Sequence, residues 1–466
     1  MPEPLSKDVI IDQDGAMRYL AARLNVETSS PSSIDAAKVF TLDRMRSLLE
    51  SMGRPHLAYP VVHVAGSKGK GSVCEMIAAG LSGGGVRAGL YTSPHLQRIN
   101  ERIRVAGVEI DPARFTELVR EVAGHAEKVE RPGDPCTYFE LLTAVAFAHF
   151  AAERVDAAVI EVGLGGRDDA TNVVEPAVCV IGAIQLEHTQ LLGDSLAAIA
   201  AIKAGILKKG VPAVTLPQDP AAAGAIAARA VVVGAPLRVV GGAGVEYSHR
   251  YGLPDGASSR SMRVTLKADG LHWLHVEVPY AGEHQAWNCG LALAALGLLK
   301  GRGVQFELDA VSKGIAAAPG RGRLEWMQVG EGGGARKVAI DIAHTPDSLA
   351  ALMRALSVVS SHESLVCVVG IAADKDVDGI LRAVAGGADK VFFTRAPGHR
   401  RGADPEDLLR RYEAVGGGMA QCVLDFEGCL DAALRSAGPR DVVLVAGSHV
   451  IAGAARTSVV RRSNRG

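Results

Sequence analysis

An apolar run, Val61 to Ala65 (VVHVA), passes directly into Gly66-Ser67-Lys68-Gly69-Lys70-Gly71-Ser72 and then into a segment with helical apolar spacing. No other stretch of the chain narrows the fold as much. The glycines let successive backbone N–H groups turn toward one point, and a helix N-terminus adds positive potential there. Lys70 brings a full charge suited to β- and γ-phosphate oxygens. The direct reading is a phosphate-binding loop between a buried strand and a helix, with all seven residues from Gly66 to Ser72 against the nucleotide. Its spacing is shorter than the common G-x-x-x-x-G-K-[ST] form.

The alternation of short apolar runs with helical segments continues to about Leu216, the pattern of βαβ units and a largely parallel sheet. Ala157–Val162 and Ala177–Ile184 read as further buried strands, Tyr138–Glu153 and Leu196–Leu207 as helices. Residues 236–283 alternate instead, as antiparallel hairpins do, and helical spacing returns at Gln285–Lys300. Pro319 and the glycines Gly320, Gly322, Gly330, Gly332, Gly333 and Gly334 suggest a hinge across Ala316–Arg336. Beyond it, KVAIDIA, LVCVVGIAA, KVFFTRA and DVVLVAGS are four strands separated by helical segments. A length of 466 residues accommodates two domains. The expected architecture is α/β: a P-loop ATPase domain with a mostly parallel sheet (1–318) and a smaller Rossmann-like α/β domain (319–466). The basic end, Arg456–Arg465, reads as a frayed, solvated terminus.

Charge and cysteine usage remove several classes of function. Lys and Arg total 50 against 51 for Asp and Glu, so no global field exists to hold a nucleic acid or an anionic membrane. Anionic ligands must be met by local groups. The seven cysteines are scattered singly, without zinc-finger spacing, as in a reducing compartment. The chain opens on MPEPLSKDVIIDQDG, which lacks the layout of a signal peptide, and no apolar stretch approaches 18 residues. We expect a cytoplasmic monomer with small-molecule partners.

After the loop come YTSPHLQRINERIRV (91–105), TYFELLTAVAF (137–147), EVGLGGRDDATNV (161–173), LEHTQLLGDSLAAIAAIKAGILKKG (186–210) and EHQAWN (283–288). In this order they closely resemble the folylpolyglutamate synthase/dihydrofolate synthase family, within the Mur ligase superfamily. The resemblance is dense over residues 40–215 and thinner beyond. It implies ATP-dependent joining of L-glutamate to a folate-type acid through an acyl phosphate, with Mg²⁺ as cofactor, two ions being expected. Such chemistry suits the residues, because a carboxylate is a poor electrophile until phosphorylated and the two reactants repel.

The resemblance also implies roles. Ser93, Glu161 and His188 become metal ligands, and Lys203 in AIKAGI becomes a carbamylated lysine that helps hold the second metal. From its own neighbours, Lys203 should be poorly solvated. Thr137, Tyr138, Phe139 and Glu140 would line the pterin pocket, with Tyr138 and Phe139 offering flat faces, as would Asp168, Asp169 and Ala170. Asn288 would contact ATP, together with Asp341 and an arginine of PGRGRLEW, either Arg321 or Arg323. His344 in DIAHTPDS would be catalytic. Four positions depart from the family: Ser67 and Lys68 where Thr-Asn is usual, Asp168 where Leu is frequent, and Thr345 where Asn is usual. The active site is expected in a cleft between the domains. The rivals are a superfamily ligase acting on another acid and an inactive nucleotide-binding regulator. Damage at Lys70, Glu161 or His188 would mark the latter, and none is present.

Overall fold

A strand with no polar edge, such as VVHVA, is stable only when both of its faces are covered. In the computed structural model, which describes residues 6–27, 41–252, 261–268, 271–330, 334–398 and 401–463, β1 (Val61–Ala65) is buried at every position. It lies inside a sheet that also contains β2 (Ala88–Tyr91), β3 (Ile103–Val105), β4 (Val108–Glu109), β5 (Ala157–Glu161), β6 (Val178–Ile181), β7 (Ala213–Thr215) and β8 (Leu237–Val239). The strand order is β4-β3-β2-β5-β1-β6-β7-β8. From β2 through β8 every pairing is parallel, and β3 and β4 add an antiparallel margin. Because β5 and β6 flank β1 on either side, the loop leaving β1 emerges where the chain's direction across the sheet reverses. That is where open α/β sheets bind ligands.

Helix Lys70–Gly83 packs closely against helix Leu308–Ala316. A Cβ on Gly83 would fall 2.7 Å from Gly314 Cα, and one on Gly314 would fall 2.4 Å from the Ala79 carbonyl oxygen. The crossing therefore exists only with glycine at both positions. The remainder of this core is aromatic and aliphatic, with Phe115, Phe147 and Phe150 in one cluster and Ile199, Ile206 and Ile226 in another. The alternating region forms a three-stranded sheet of β9 (Val245–Gly252), β10 (Ser261–Ala268) and β11 (Leu271–Glu277), in the order β11-β10-β9. Leu237–Val239 belongs instead to the parallel sheet, beside β7.

The described chain divides into two compact units. The first takes in residues to His249, Arg263–Glu277 and Gln285–Ala318; the second takes in Arg250–Met262, Val278–His284 and Pro319 onward. The second unit is built on β12 (Glu325–Val329), β13 (Arg336–Ile340), β14 (Leu365–Val369), β15 (Lys390–Phe393), β16 (Met419–Cys422) and β17 (Val442–Ala446), in the order β12-β13-β17-β14-β15-β16. All pairings are parallel except β12 with β13.

Two sequence expectations are corrected here. The glycine-rich stretch 316–336 is not simply a hinge, since it contains β12, an edge strand; Gly332 and Gly333 lie outside the described residues. The basic end is not frayed either over its described residues; Asn464 and Arg465 lie outside them. Residues His449–Ser463 form a helix with Ser458 and Val459 buried. Arg456 meets Glu325 at 2.9 Å, Arg461 and Arg462 each meet Glu427 at 2.7 Å, and Arg462 also pairs with Asp431. Carboxylates distant in sequence supply what the local pattern lacks.

Candidate active site

The loop after β1 is tied down from several directions. Ser67 N–H donates to the Ala183 carbonyl at 2.8 Å and the Ser67 hydroxyl to the Gln185 carbonyl at 2.9 Å. Lys68 pairs with Glu187 at 2.8 Å. The segment following β6 is thus the loop's floor, and both residues that depart from the family's usual Thr-Asn are used in holding it. Gly69, at φ +82, caps helix Lys70–Gly83, and a Cβ there would lie 2.4 Å from Asn288 Oδ1. Asn288 is 4% exposed and is oriented by Gln285, to which its Nδ2 donates at 3.0 Å. The structure therefore brings Asn288, over two hundred positions away in sequence, against the loop's tightest turn. Gly71 and Ser72 follow in the first turn of the helix.

Two lysines converge on this loop. Lys70 Nζ donates to the Gly66 carbonyl at 3.2 Å, and Lys203 Nζ donates to the same oxygen at 2.9 Å. Lys203 closes helix Leu196–Lys203 and is 4% exposed. Burial, and then the positive charge of Lys70, pull its pKa down to about 7, against Glu187 and Asp169, which pull the other way. An amine in that range is partly neutral at physiological pH.

One strand away, Glu161 ends β5 opposite Val64 of β1 and is 3% exposed. Its Oε2 accepts the Ser93 N–H at 3.0 Å. A carboxylate and a hydroxyl-bearing residue at adjacent strand ends are hard oxygen donors, the type magnesium prefers. Among the described residues no three His, Cys, Asp or Glu side chains come together as a ligand set. The fit to a cation here therefore rests on Glu161 and Ser93. His188, in the left-handed conformation at φ 51°, has a side chain 40% exposed and lies 3.9 Å from Glu187 Oε1.

Beneath the loop runs a buried polar chain. Asp169 Oδ1 accepts the Thr171 hydroxyl at 2.5 Å, and the Thr171 oxygen is 2.8 Å from His63 Nε2. Since the threonine proton is given to Asp169, His63 Nε2 must carry the proton it donates. His63 is wholly buried, which pushes its pKa down to about 3. Burial raises the Asp169 pKa, partly offset by the Thr171 and Leu164 donors and by Lys70. The signal for His63 was present in the sequence, a lone polar residue in an otherwise apolar strand, but its partner was not.

The TYFE segment is largely committed to structure. Thr137 and Glu140 form a reciprocal capping box on helix Tyr138–Ala152, and Glu140 also pairs with Arg44 at 3.1 Å. Tyr138 is 5% exposed with the Arg102 guanidinium 5.7 Å from its ring centre, so the expectation of two open stacking faces is corrected to one. That one is half-buried Phe139, whose ring edge would sit 2.5 Å from a Cβ at Gly163. Asp169 caps the turn Ala170–Val173. Asp168 points elsewhere, pairing with Arg167 at 2.9 Å.

In the second unit both Asp341 oxygens are taken by backbone, accepting Leu324 N–H and Ala343 N–H at 2.7 Å each. Burial pushes its pKa up to about 6 despite these donors and Arg323. Asp341 thereby fixes the arginine-bearing turn. Arg323 lies over the Tyr280 ring at 5.4 Å, whereas Arg321 is exposed. His344 Nδ1 is 2.9 Å from the Ile342 carbonyl, which can only accept, so Nε2 is its basic nitrogen. The His449 ring stands 5.2 Å away. Thr345 caps helix Pro346–Val359, a task for which threonine and asparagine are both preferred residues.

Residues 64–296 match the Mur ligase middle domain, and residues 322–449 match the glutamate ligase domain of Mur ligases. The dihydrofolate synthase/folylpolyglutamate synthase of Mycobacterium tuberculosis is 35% identical over 443 residues, covering 90% of this chain and 89% of that protein. Among solved structures, Mycobacterium tuberculosis folylpolyglutamate synthase complexed with ADP has a TM-score of 0.82 at 33% identity, covering 96% of this chain and 98% of that one. E. coli FolC in complex with DHPP and ADP has a TM-score of 0.80 at 28% identity, and both chains are covered in full. With identity sustained across both units, this chain belongs to the folylpolyglutamate synthase/dihydrofolate synthase family of Mur ligases.

Proposed function

We propose that the protein couples ATP cleavage to amide formation, joining the amine of L-glutamate to the carboxylate of a folate-type acid, either dihydropteroate or a folyl (poly)glutamate. The observation that carries this reading is the convergence of Lys70 and Lys203 on Gly66, in a loop one strand from the buried pair Glu161 and Ser93. The nucleotide-bound relatives support ATP as the phosphate donor.

In the first step an oxygen of the acid's carboxylate attacks the γ-phosphorus, the bond to ADP breaks, and an acyl phosphate forms. The amide groups of 66–72 and the Lys70 ammonium hold the phosphates and stabilise charge on the transferring group. Asn288 and Arg321 serve as further nucleotide contacts, with Asp341 positioning the arginine turn. In the second step the neutral amine of glutamate attacks the acyl carbon, and the carbon–oxygen bond to phosphate breaks. His344 Nε2 is our candidate acceptor for the amine proton. Phe139 supplies the flat face for a pterin, bordered by the Asp169–Ala170 turn.

Magnesium, which we place on Glu161, Ser93, His188 and Lys203 as two ions, would offset negative charge on the phosphates when bound. Lys203 would join as a carbamate: its neutral nitrogen attacks CO₂, one N–C bond forms and one proton leaves. The N–H that remains can still donate to Gly66. We take the working form to be a cytoplasmic monomer; no helix among the described residues is long and apolar enough to cross a membrane.

The test is phosphate release by purified protein with ATP, glutamate and, in turn, dihydropteroate, tetrahydrofolate or no acceptor. Release above the no-acceptor rate with either pterin acid supports the reading. Equal rates in all three overturn it.

A further inference from the structure

An open cavity of about 410 Å³ in the first unit is walled by Arg46, Arg167, Lys208 and Arg229, with Asp168 and Asn172 among its lining groups. Four cations face one lining carboxylate, which is already spent on Arg167, while Arg46 also pairs with Asp43 on its own helix at 3.4 Å. Cations gather in this way at the cost of mutual repulsion. The Lys208 pKa is lowered first by burial, and Arg46 and Arg229 push it further down, while Cys179 and Glu175 act in the opposite sense.

Asn172 and Lys208, on one side of the cavity, are held by backbone carbonyls. Asn172 Nδ2 donates to the Arg167 carbonyl at 2.8 Å and to the Gly205 carbonyl at 3.3 Å, and Lys208 Nζ donates to the Asn172 carbonyl at 3.0 Å. Gly205 passes so close that a Cβ on it would lie 2.3 Å from Arg167 Cβ. Two buried polar atoms of the lining residues are left without a hydrogen-bond partner, Arg229 Nε, a donor, and Asn172 Oδ1, an acceptor. The Asn172 amide cannot be turned to exchange these roles, because its nitrogen already serves two carbonyls. Buried polar atoms without partners are uncommon in native proteins and often mark an ion, a water or a ligand.

We propose that this cavity binds a small oxyanion, a phosphate or a carboxylate with an adjacent O–H or N–H, held by Arg46, Arg167, Lys208 and Arg229. The cationic side chains match the charge and geometry of the anion, and guanidinium groups do so bidentately. The orphan acceptor of Asn172 asks for the adjacent donor. Hydrogen phosphate meets both demands, and so does a γ-linked glutamate chain, whose α-carboxylates alternate with amide N–H groups. The site is set apart from the phosphate loop by the divergence of neighbouring carboxylates: Asp169 turns inward to Thr171, and Asp168 turns outward to Arg167.

The choice of these two sources rests on the ligase reading, since one is its released product and the other its growing tail; the existence of the site does not. The experiment is calorimetric titration of the full chain with phosphate and, separately, with γ-linked triglutamate, in saturating AMPPCP so that the phosphate loop is occupied. Binding of either titrant to the wild type, weakened about ten-fold in Arg229→Gln and in Lys208→Gln and weakened by salt, is the expected result; ten-fold is the loss of one charge-assisted contact. Phosphate alone would identify an ion site, and triglutamate a tail subsite. No binding of either titrant, or equal binding by wild type and both variants, overturns the proposal. AMPPCP affinity and phosphate-release rate, measured on the same samples, report separately on the ligase reading and on folding.

Discussion

Lys70 and Lys203 donate to one and the same acceptor, the carbonyl oxygen of Gly66, at 3.2 and 2.9 Å. Two ammonium groups so placed repel each other. Lys203, the buried partner, carries the lowered pKa.

Lys70→Ala should lower ligation by at least about a hundred-fold, the order expected when one preorganised electrostatic contact to developing charge is removed. Its thermal unfolding should match wild type, because the side chain does not pack the core. Turnover within a few-fold of wild type would remove the phosphate-loop assignment.

Glu161→Ala and His188→Ala should each raise the magnesium concentration needed for half-maximal rate and lower the rate itself. Of the two, Glu161→Ala should be the more severe, since Glu161 is buried beside Ser93 whereas His188 is considerably exposed. Magnesium titrations of both variants that overlay wild type would put the metal elsewhere.

Lys203→Ala should be nearly inactive, and a short carboxylic acid added to the buffer should restore part of the rate by supplying oxygens where the carbamate stood. Wild type equilibrated with ¹³C-bicarbonate should show a carbamate carbonyl resonance that the variant lacks. Identical spectra from the two proteins would rule out carbamylation at this position.

His63 makes a prediction about acid. Its pKa is about 3 in the folded chain and about 6.5 when exposed, so between those values the unfolded state binds a proton that the folded state refuses. Stability from this group is complete above pH 6.5 and is lost as pH falls toward 3, by about 5 kcal/mol in all at 1.36 kcal/mol per unit. Asp169 and Glu140, whose pKa values burial raises, act in the opposite sense. They are unchanged in a comparison with His63→Gln, which has no proton to gain. Urea midpoints should fall more steeply with acid for wild type than for the variant; parallel curves would refute the assignment.

What could be read from the chain alone was whatever local spacing determines. Val61–Ala65 with its glycines and Lys70 sufficed for the loop, and the apolar run at Ala157–Glu161 sufficed for a central strand. Edge strands were harder. β12 and β16 alternate between half-buried and exposed positions, and glycines flank both, so nothing in their composition separates them from loops. The terminal helix escaped because its arginines look solvated until Glu325, Glu427 and Asp431 are placed beside them. At the site, residue types were legible but directions were not. Asp168 and Asp169 are adjacent in sequence and face opposite environments, and only the fold shows that Arg323 is engaged with Tyr280 while Arg321 is exposed.

The ties on the phosphate loop bear on how quickly nucleotide can be captured. Within residues 66–69, Ser67 and Lys68 are held by Ala183, Gln185 and Glu187, and Asn288 packs against Gly69, without any help from a ligand. The entropy of ordering four residues, about 4–8 kcal/mol at about 1–2 kcal/mol each, is therefore met during folding and not again at each encounter. Association should then follow diffusion and charge, without a slow conformational phase, and breaking the Lys68–Glu187 pair should return part of that entropy to the binding step, as weaker and slower nucleotide capture at an unaltered chemical step.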